Sequence, residues 1–155
     1  MTNITFHGGV NDIGGNKFLV ESKDTKVFMD FGMSFTQEGQ FFSQFLGART
    51  SNSLNDMFEL GILPKIKGLY RRDYAKHMDF DGNEDTEIDA VLLTHAHVDH
   101  CAYLPYLRED IPIYCSEESK LILQNFDETS SSQYLTAKQR FQIYENKKGT
   151  MSKAT

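Results

Sequence analysis

Ile88-Asp-Ala-Val-Leu-Leu-Thr94-His-Ala-His97-Val-Asp-His100 is the stretch from which the rest of this chain is read. Its opening is a short apolar run, partly β-branched, of the kind that forms a buried strand. Its last six residues hold three of the five histidines and a carboxylate. A buried imidazole or carboxylate needs a polar partner, so packing alone accounts poorly for so dense a cluster. It reads as a metal site at a strand end, with its ligands drawn from one compact turn. The plain alternative is a polar loop. After it, Cys101-Ala-Tyr-Leu-Pro-Tyr-Leu107 returns to apolar residues, which suits a turn or short helix packing back on the strand and shielding the site.

Within the cluster, His95 and His97 are two apart and point the same way in an extended chain, so they can grip one ion. Asp99 and His100 lie past the bend and can face a second. Two zinc ions close together are the expectation, and manganese or iron would accept the same ligands. Such a pair activates water at neutral pH and clamps an anionic substrate.

Upstream stand Phe6-His-Gly-Gly-Val-Asn-Asp-Ile-Gly-Gly-Asn16, Phe18-Leu-Val-Glu21 and Val27-Phe-Met-Asp-Phe-Gly32. Together with His-x-His-x-Asp-His after a hydrophobic strand, they resemble the opening of metallo-β-lactamase-fold hydrolases of the β-CASP RNA-processing type, the ribonuclease J group. The resemblance implies an α/β class, layered as an αββα sandwich of which this chain holds roughly the first half. It implies that His95, His97, Asp99 and His100 are metal ligands, with Asp30 the first-motif aspartate that supports them. Asp99 and Asp30 are then the catalytic carboxylates. The implied reaction is hydrolysis of an RNA phosphodiester, with single-stranded RNA as the partner. Two departures stand out: Asp12 where a Glu is usual, and Cys101-Ala102 where small residues, often glycines, follow the final His. Neither removes a ligand. The family also adds a later His, a bridging Asp and a final His, and no histidine follows His100 here. The expectation is therefore that residues 1–155 are the amino-terminal portion of the domain, with an insertion at about 34–87, and are inactive alone. The remaining ligands and any β-CASP domain would belong to a longer protein. Rival readings are another hydrolase of the same fold, acting on a thioester, lactone or small phosphodiester, and a truncated, non-catalytic binding chain.

Composition sets the outer limits. The net charge is -6 and the pI about 5.3, so there is no global basic field and any grip on nucleic acid must be local. Two cysteines, Cys101 and Cys115, are too few for a disulfide framework. Neither a signal peptide nor a transmembrane span is legible, so the cytoplasm is the expected compartment and no membrane partner is expected. Oligomeric state is not legible.

Along the chain, Ile4 to His7, Lys17 to Ser22 and Lys26 to Asp30 read as strands separated by turn residues, an antiparallel start to a sheet. Gly14-Gly15-Asn16 runs into a strand, not a helix, which disfavours a phosphate-cradling loop. The insertion shows no clean periodicity at its start. Ser53-Leu-Asn-Asp56 then predicts an N-capped short helix closed by Gly61, and the whole segment a lid or wall. Its cations (Arg49, Lys65, Lys67, Arg71, Arg72) and aromatics (Phe41, Phe42, Phe45, Tyr70, Tyr74) could stack bases and bind phosphates. Solvated cations over core aromatics is the favoured reading, because acids from Asp73 to Glu87 dilute the field. Past the site, Ile113 to Cys115 reads as a strand and Ser116 as the N-cap of a helix. Leu121, Ile122 and Phe126 are expected to pack that helix on the sheet. Ala137 to Glu145 reads as a helix or linker, and Lys147 to Thr155 as a polar tail without strand signal. His7 and His77 read as structural or surface residues, Cys101 as a small buried filler, and Asp89 as a strand-end hydrogen-bonder.

Overall fold

Period-two alternation at the amino terminus produces three strands in succession, β1 (Thr2–Gly8), β2 (Lys17–Ser22) and β3 (Thr25–Met29). The computed structural model describes residues 1–42, 47–49, 52, 54–75, 85–129, 144–147 and 150–153. β1 pairs antiparallel with β2, and β2 with β3, so both meanders of the expected antiparallel start are present. β4 (Ala90–Leu92) and β5 (Ile113–Tyr114) then add in parallel, giving a five-stranded sheet in the order β1-β2-β3-β4-β5. Asp89 acts as a strand-end tie: its carboxylate accepts from Lys26 N at 2.7 Å and its own N–H donates to Lys26 O at 2.9 Å. The mixed α/β layering expected from the sequence is thus realised.

One face of this sheet carries Leu19, Phe28 and Val91 into the core. What covers them comes largely from the segment between β3 and β4. Helix α1 (Phe35–Phe41) is capped by Ser34, whose Oγ accepts from Gln37 N at 3.1 Å, and α2 (Asn55–Glu59) ends at Gly61, with φ +71°. Leu54, Met57, Phe58, Ile62, Leu63, Leu69 and Tyr70 are all buried in the core, so the described residues between 54 and 70 form one wall of it. Short helix α3 (Arg72–Ala75) follows, and backbone bonds from Arg71 N to Tyr106 O and from Arg108 N to Leu69 O pin this wall to the segment beyond β4.

That segment turns back on the strand as expected. Helix α4 (Val98–Cys101) and a 3-10 turn (Leu104–Tyr106) bury Cys101, Leu104 and Leu107. Helix α5 (Glu117–Thr129) starts at Ser116, whose Oγ accepts from Ser119 N at 3.2 Å. No helix among the described residues is long and apolar enough to cross a membrane.

Four expectations change. The segment after Met33, read as aperiodic, forms α1, because Ser34 and Gln37 supply a capping pair that overrides weak periodicity. α2 begins after Leu54, which makes no side-chain cap bond; the proposed cap Ser53 lies outside the described residues, as do Phe45 and His77. In α5, Leu121 and Phe126 are 58% and 41% exposed, and the inward line is Ser119 and Leu123, an i,i+4 pair, because the helix is rotated away from its longer apolar stripe. Finally, β6 (Tyr144–Lys147) and β7 (Thr150–Lys153) form an antiparallel hairpin where a helix or linker and a polar tail were expected. The register runs from Tyr144↔Lys153 to Lys147↔Thr150, so backbone pairing, not apolar alternation, makes these strands.

Among the described residues, none is seen to cover the opposite face of the five-stranded sheet. The register aligns Phe6, Phe18, Met29, Leu92 and Tyr114 in one row across all five strands, and Phe6 and Leu92 are 59% and 42% exposed.

Two glycines give opposite expectations. A Cβ on Gly32 would lie 1.7 Å from Asp99 O, which a rigid backbone cannot relieve. Gly32→Ala is expected to cost at least ~3 kcal/mol, the upper range for an overpacked interior. Gly39, inside α1, has nothing within 4 Å of such a Cβ, so Gly39→Ala should stabilise by up to ~1 kcal/mol through helix propensity. Urea unfolding midpoints of the two variants check both signs.

Candidate metal centre

The cluster stands where β4 ends. Leu93 is buried beneath it, its N–H bonded to Tyr114 O at 2.8 Å, and the chain stays extended through His97, which opens α4. The structure brings the three imidazoles into one group. His95 and His97 ring centroids are 4.5 Å apart, with Nε2 of the first 3.1 Å from Nδ1 of the second, and His95 and His100 centroids are 4.0 Å apart. Asp99 Oδ2 lies 3.4 Å from His100 Nε2. His97 is exposed and the others are half-buried, so the group opens to solvent on one side.

Asp30 is the most constrained member. It ends β3 at φ +60°, a left-handed conformation unusual for a residue with a Cβ, and is 2% exposed. Its Oδ1 accepts from Thr94 N at 2.8 Å, and the Thr94 hydroxyl lies within 3.0 Å of both carboxylate oxygens. Its Oδ2 is 2.7 Å from His100 Nδ1. A carboxylate only accepts, so this nitrogen carries the ring proton. The Asn16 amide Nδ2, a donor only, is 3.1 Å from His100 Nε2, which is therefore the lone-pair nitrogen. Asp30 thus fixes the tautomer that puts the lone pair on Nε2, as in imidazoles that bind metals; that lone pair accepts from the Asn16 amide, which a coordinating ion would have to replace.

The residues fit a metal in kind. Three imidazoles and a carboxylate are suitable donor types, and the tautomer the network gives His100 has its lone pair on Nε2. As the side chains stand, no three His, Cys, Asp or Glu donors among the described residues surround a common point. Their rings rest on one another instead. Cys101 is buried and its thiol pushed up to about 12, chiefly by that burial, so it behaves as a filler. His7 packs its ring 5.7 Å from Phe28, away from the cluster, and burial holds its pKa below the usual value.

A dense backbone knot underlies the site. Asn16 N donates to Asp99 O, Phe31 N to His100 O, Met33 N to Val98 O, and Gly32 N to Asn16 O. Gly14 and Gly15, with φ +80° and +74°, let the glycine-rich opening lie against Asp99 and Ser34. Asp12 accepts from Ser34 Oγ and Ile13 N, which lowers its pKa and ties the opening to the start of α1. In the sequence Asn16 stands only as the last residue of the glycine-rich opening and Thr94 as the residue before the histidines; their contacts with His100 and Asp30 come from the fold.

The proposed cationic surface on the insertion is occupied by ion pairs. Arg49 chelates Asp56, Lys65 bonds Glu59 and Arg71 bonds Asp73, while Tyr70 is buried and donates its hydroxyl to Pro64 O at 2.6 Å. Arg71 also lies 5.2 Å from the Tyr74 ring. Core aromatics with paired cations describe this stretch.

Comparison with known proteins follows the same lines. The sequence model of the beta-lactamase superfamily domain matches residues 70–151. Ribonuclease J of Helicobacter pylori is 30% identical over 134 residues, spanning 84% of this chain and 15% of the relative. Transcription termination factor FttA of Methanocaldococcus jannaschii is 27% identical over 120 residues, spanning 76% of this chain and 14% of the relative. A solved structure, a protein of unknown function from Enterococcus faecalis, superposes with TM-score 0.64 at 28% identity, covering 90% of this chain and 32% of its own. The chain spans about one seventh of the length of the two curated relatives.

Asp30→Asn isolates the carboxylate, because Asn tolerates the left-handed backbone equally well. An amide nitrogen opposite His100 Nδ1 would push the ring proton to Nε2. The variant is expected to lose ~1.5 to 3 kcal/mol of stability, the worth of hydrogen bonds to a charged group. Nitrogen-15 NMR of the His100 ring should show the tautomer reversed; a ring still protonated at Nδ1 would refute the assignment.

Proposed function

Because the chain belongs to the beta-lactamase superfamily, whose domain model covers residues 70–151, we propose that it supplies the amino-terminal half of the catalytic domain of a metal-dependent ribonuclease. The substrate is single-stranded RNA, the reaction hydrolysis of its phosphodiester, and the compartment the cytoplasm. Support for RNA comes from the likeness to ribonuclease J and FttA over most of this chain. The observation that carries the reading is the gathering of three imidazoles on one strand-end turn, with His100 gripped by a buried carboxylate.

His95 and His97 would hold one ion, and Asp99 and His100 a second. Two zinc ions, or manganese or iron in the same ligands, would supply Lewis acidity and make water nucleophilic at neutral pH. The chain's own residues prepare for this. Asp30 holds the ring proton of His100 at Nδ1 and so puts the coordinating lone pair on Nε2, where the Asn16 amide donates to it until an ion takes its place. Thr94 fixes Asp30 from the end of β4, and its hydroxyl is 3.0 Å from His95 Nδ1, so one residue orients two of the imidazoles. Asp99, on the first turn of α4, contributes negative charge beside His100 without entering the core. The open side at His97 gives an extended polyanion access to the cluster.

In the full-length protein, His97→Ala is expected to abolish hydrolysis of single-stranded RNA and to lower bound zinc measured by mass spectrometry. Full activity with undiminished metal would overturn the assignment.

A further inference from the structure

Lys17 opens β2, yet its side chain is only 1% exposed. Its ammonium donates to Gly32 O at 2.8 Å and to Gly15 O at 3.1 Å, and lies 5.3 Å from the centroid of the Tyr103 ring. Among the described residues no carboxylate is within ion-pair distance of it. Burying a cation with no carboxylate in contact is expensive: burial brings its pKa down to about 8, only partly opposed by the more distant charge of Asp12. A leucine or methionine would fill the same space without that cost, so the ammonium's two bonds must do something packing does not.

What they join is informative. Gly15 precedes Asn16, whose amide meets His100 Nε2 at 3.1 Å. Gly32 closes the turn that starts at Asp30, whose carboxylate meets His100 Nδ1 at 2.7 Å. The two turns are already stitched by Gly32 N to Asn16 O and Gly15 N to Met33 O, and Lys17 takes up the two carbonyls those bonds leave over. Tyr103 closes the stack from the far side: its N–H donates to Phe31 O and its hydroxyl to Glu38.

We propose that Lys17 is a positioning residue for His100: its ammonium clamps the Gly15 and Gly32 turns at the spacing at which Asn16 and Asp30 hold opposite edges of one imidazole. This rests on the reading of His100 as a metal ligand. Lys17 itself touches neither metal nor substrate. Its contribution is to the precision with which Nε2 is presented, and so to metal affinity more than to fold.

The test is Co2+ titration of the full-length protein, followed by visible absorption, together with hydrogen exchange of the metal-free form. Lys17→Met keeps the length and apolar bulk of the side chain and removes its donors. It should weaken Co2+ binding by ~10-fold or more, as loss of ligand support commonly does. The Gly15, Gly32 and Met33 amides should exchange faster, with those of β3 unaffected. Leu123→Ala, a core truncation away from the site, should lower the melting temperature while leaving Co2+ affinity unchanged. Lys17→Gln, which keeps one amide donor, should fall between wild type and Lys17→Met, and is judged alone if the latter does not fold. Wild-type affinity in the Lys17 variants, with or without faster exchange, would overturn the positioning role. A wild-type protein that does not bind Co2+, or a His97→Ala variant that binds it equally well, would overturn the metal reading and this inference with it.

Discussion

A single buried carboxylate at the end of β3 holds the architecture of the site together. Asp30 faces two elements far downstream of it, the end of β4 through Thr94 and helix α4 through His100. Neither bond can form unless the chain turns sharply after Met29, and the left-handed backbone of Asp30 is that turn. Its strain, of order 1 kcal/mol, is offset by bonds to a charged group that are each worth more. Gly32 follows from the same constraint: for Asp30 to reach His100, the backbone of residues 30–32 must lie directly against that of residues 99 and 100, where no side chain fits.

The sheet explains why the constraint is stable. β3 and β4 are parallel neighbours, so their carboxyl ends lie side by side, and everything emitted there converges: Asp30 from one, the histidine turn from the other. Ligand sites in parallel sheets gather at such ends for this reason. The segment between β3 and β4 anchors the arrangement from below by burying aromatics and aliphatics with Phe28 and Val91, with edge-to-face contacts of Phe31 with Phe28 at 5.2 Å and of Phe58 with Tyr70 at 5.0 Å.

How much of this could be read from the residues alone depended on range. The three amino-terminal strands were legible because period-two alternation and turn residues are local signals, and the strand before the histidines because its ends are marked. The histidine cluster was legible because its members are neighbours in sequence. Asp30 was singled out only through the family resemblance; nothing in its flanking residues announces a carboxylate buried against His100, seventy positions on. Thr94, Asn16 and Lys17 acquire their roles only from partners brought close by the fold. The start of the insertion was misread although Ser34 and Gln37 carried a local cap signal, and the orientation of α5 was misread because the apolar stripe through Leu121 and Phe126 is not the line that faces the core. The hairpin of β6 and β7 shows the converse case, where backbone pairing makes strands out of residues with no apolar pattern.

The apolar row from Phe6 through Phe18, Met29 and Leu92 to Tyr114, which the described residues leave exposed, has a thermal consequence. Any surface that seats on it removes apolar area from water and adds few hydrogen bonds, because the backbone groups of these strands already satisfy one another. The attraction is then largely entropic near room temperature and carries a negative heat-capacity change. Contacts made through that face therefore loosen as the solution is cooled, while the hydrogen-bonded knot around Asp30 does not depend on temperature in that way.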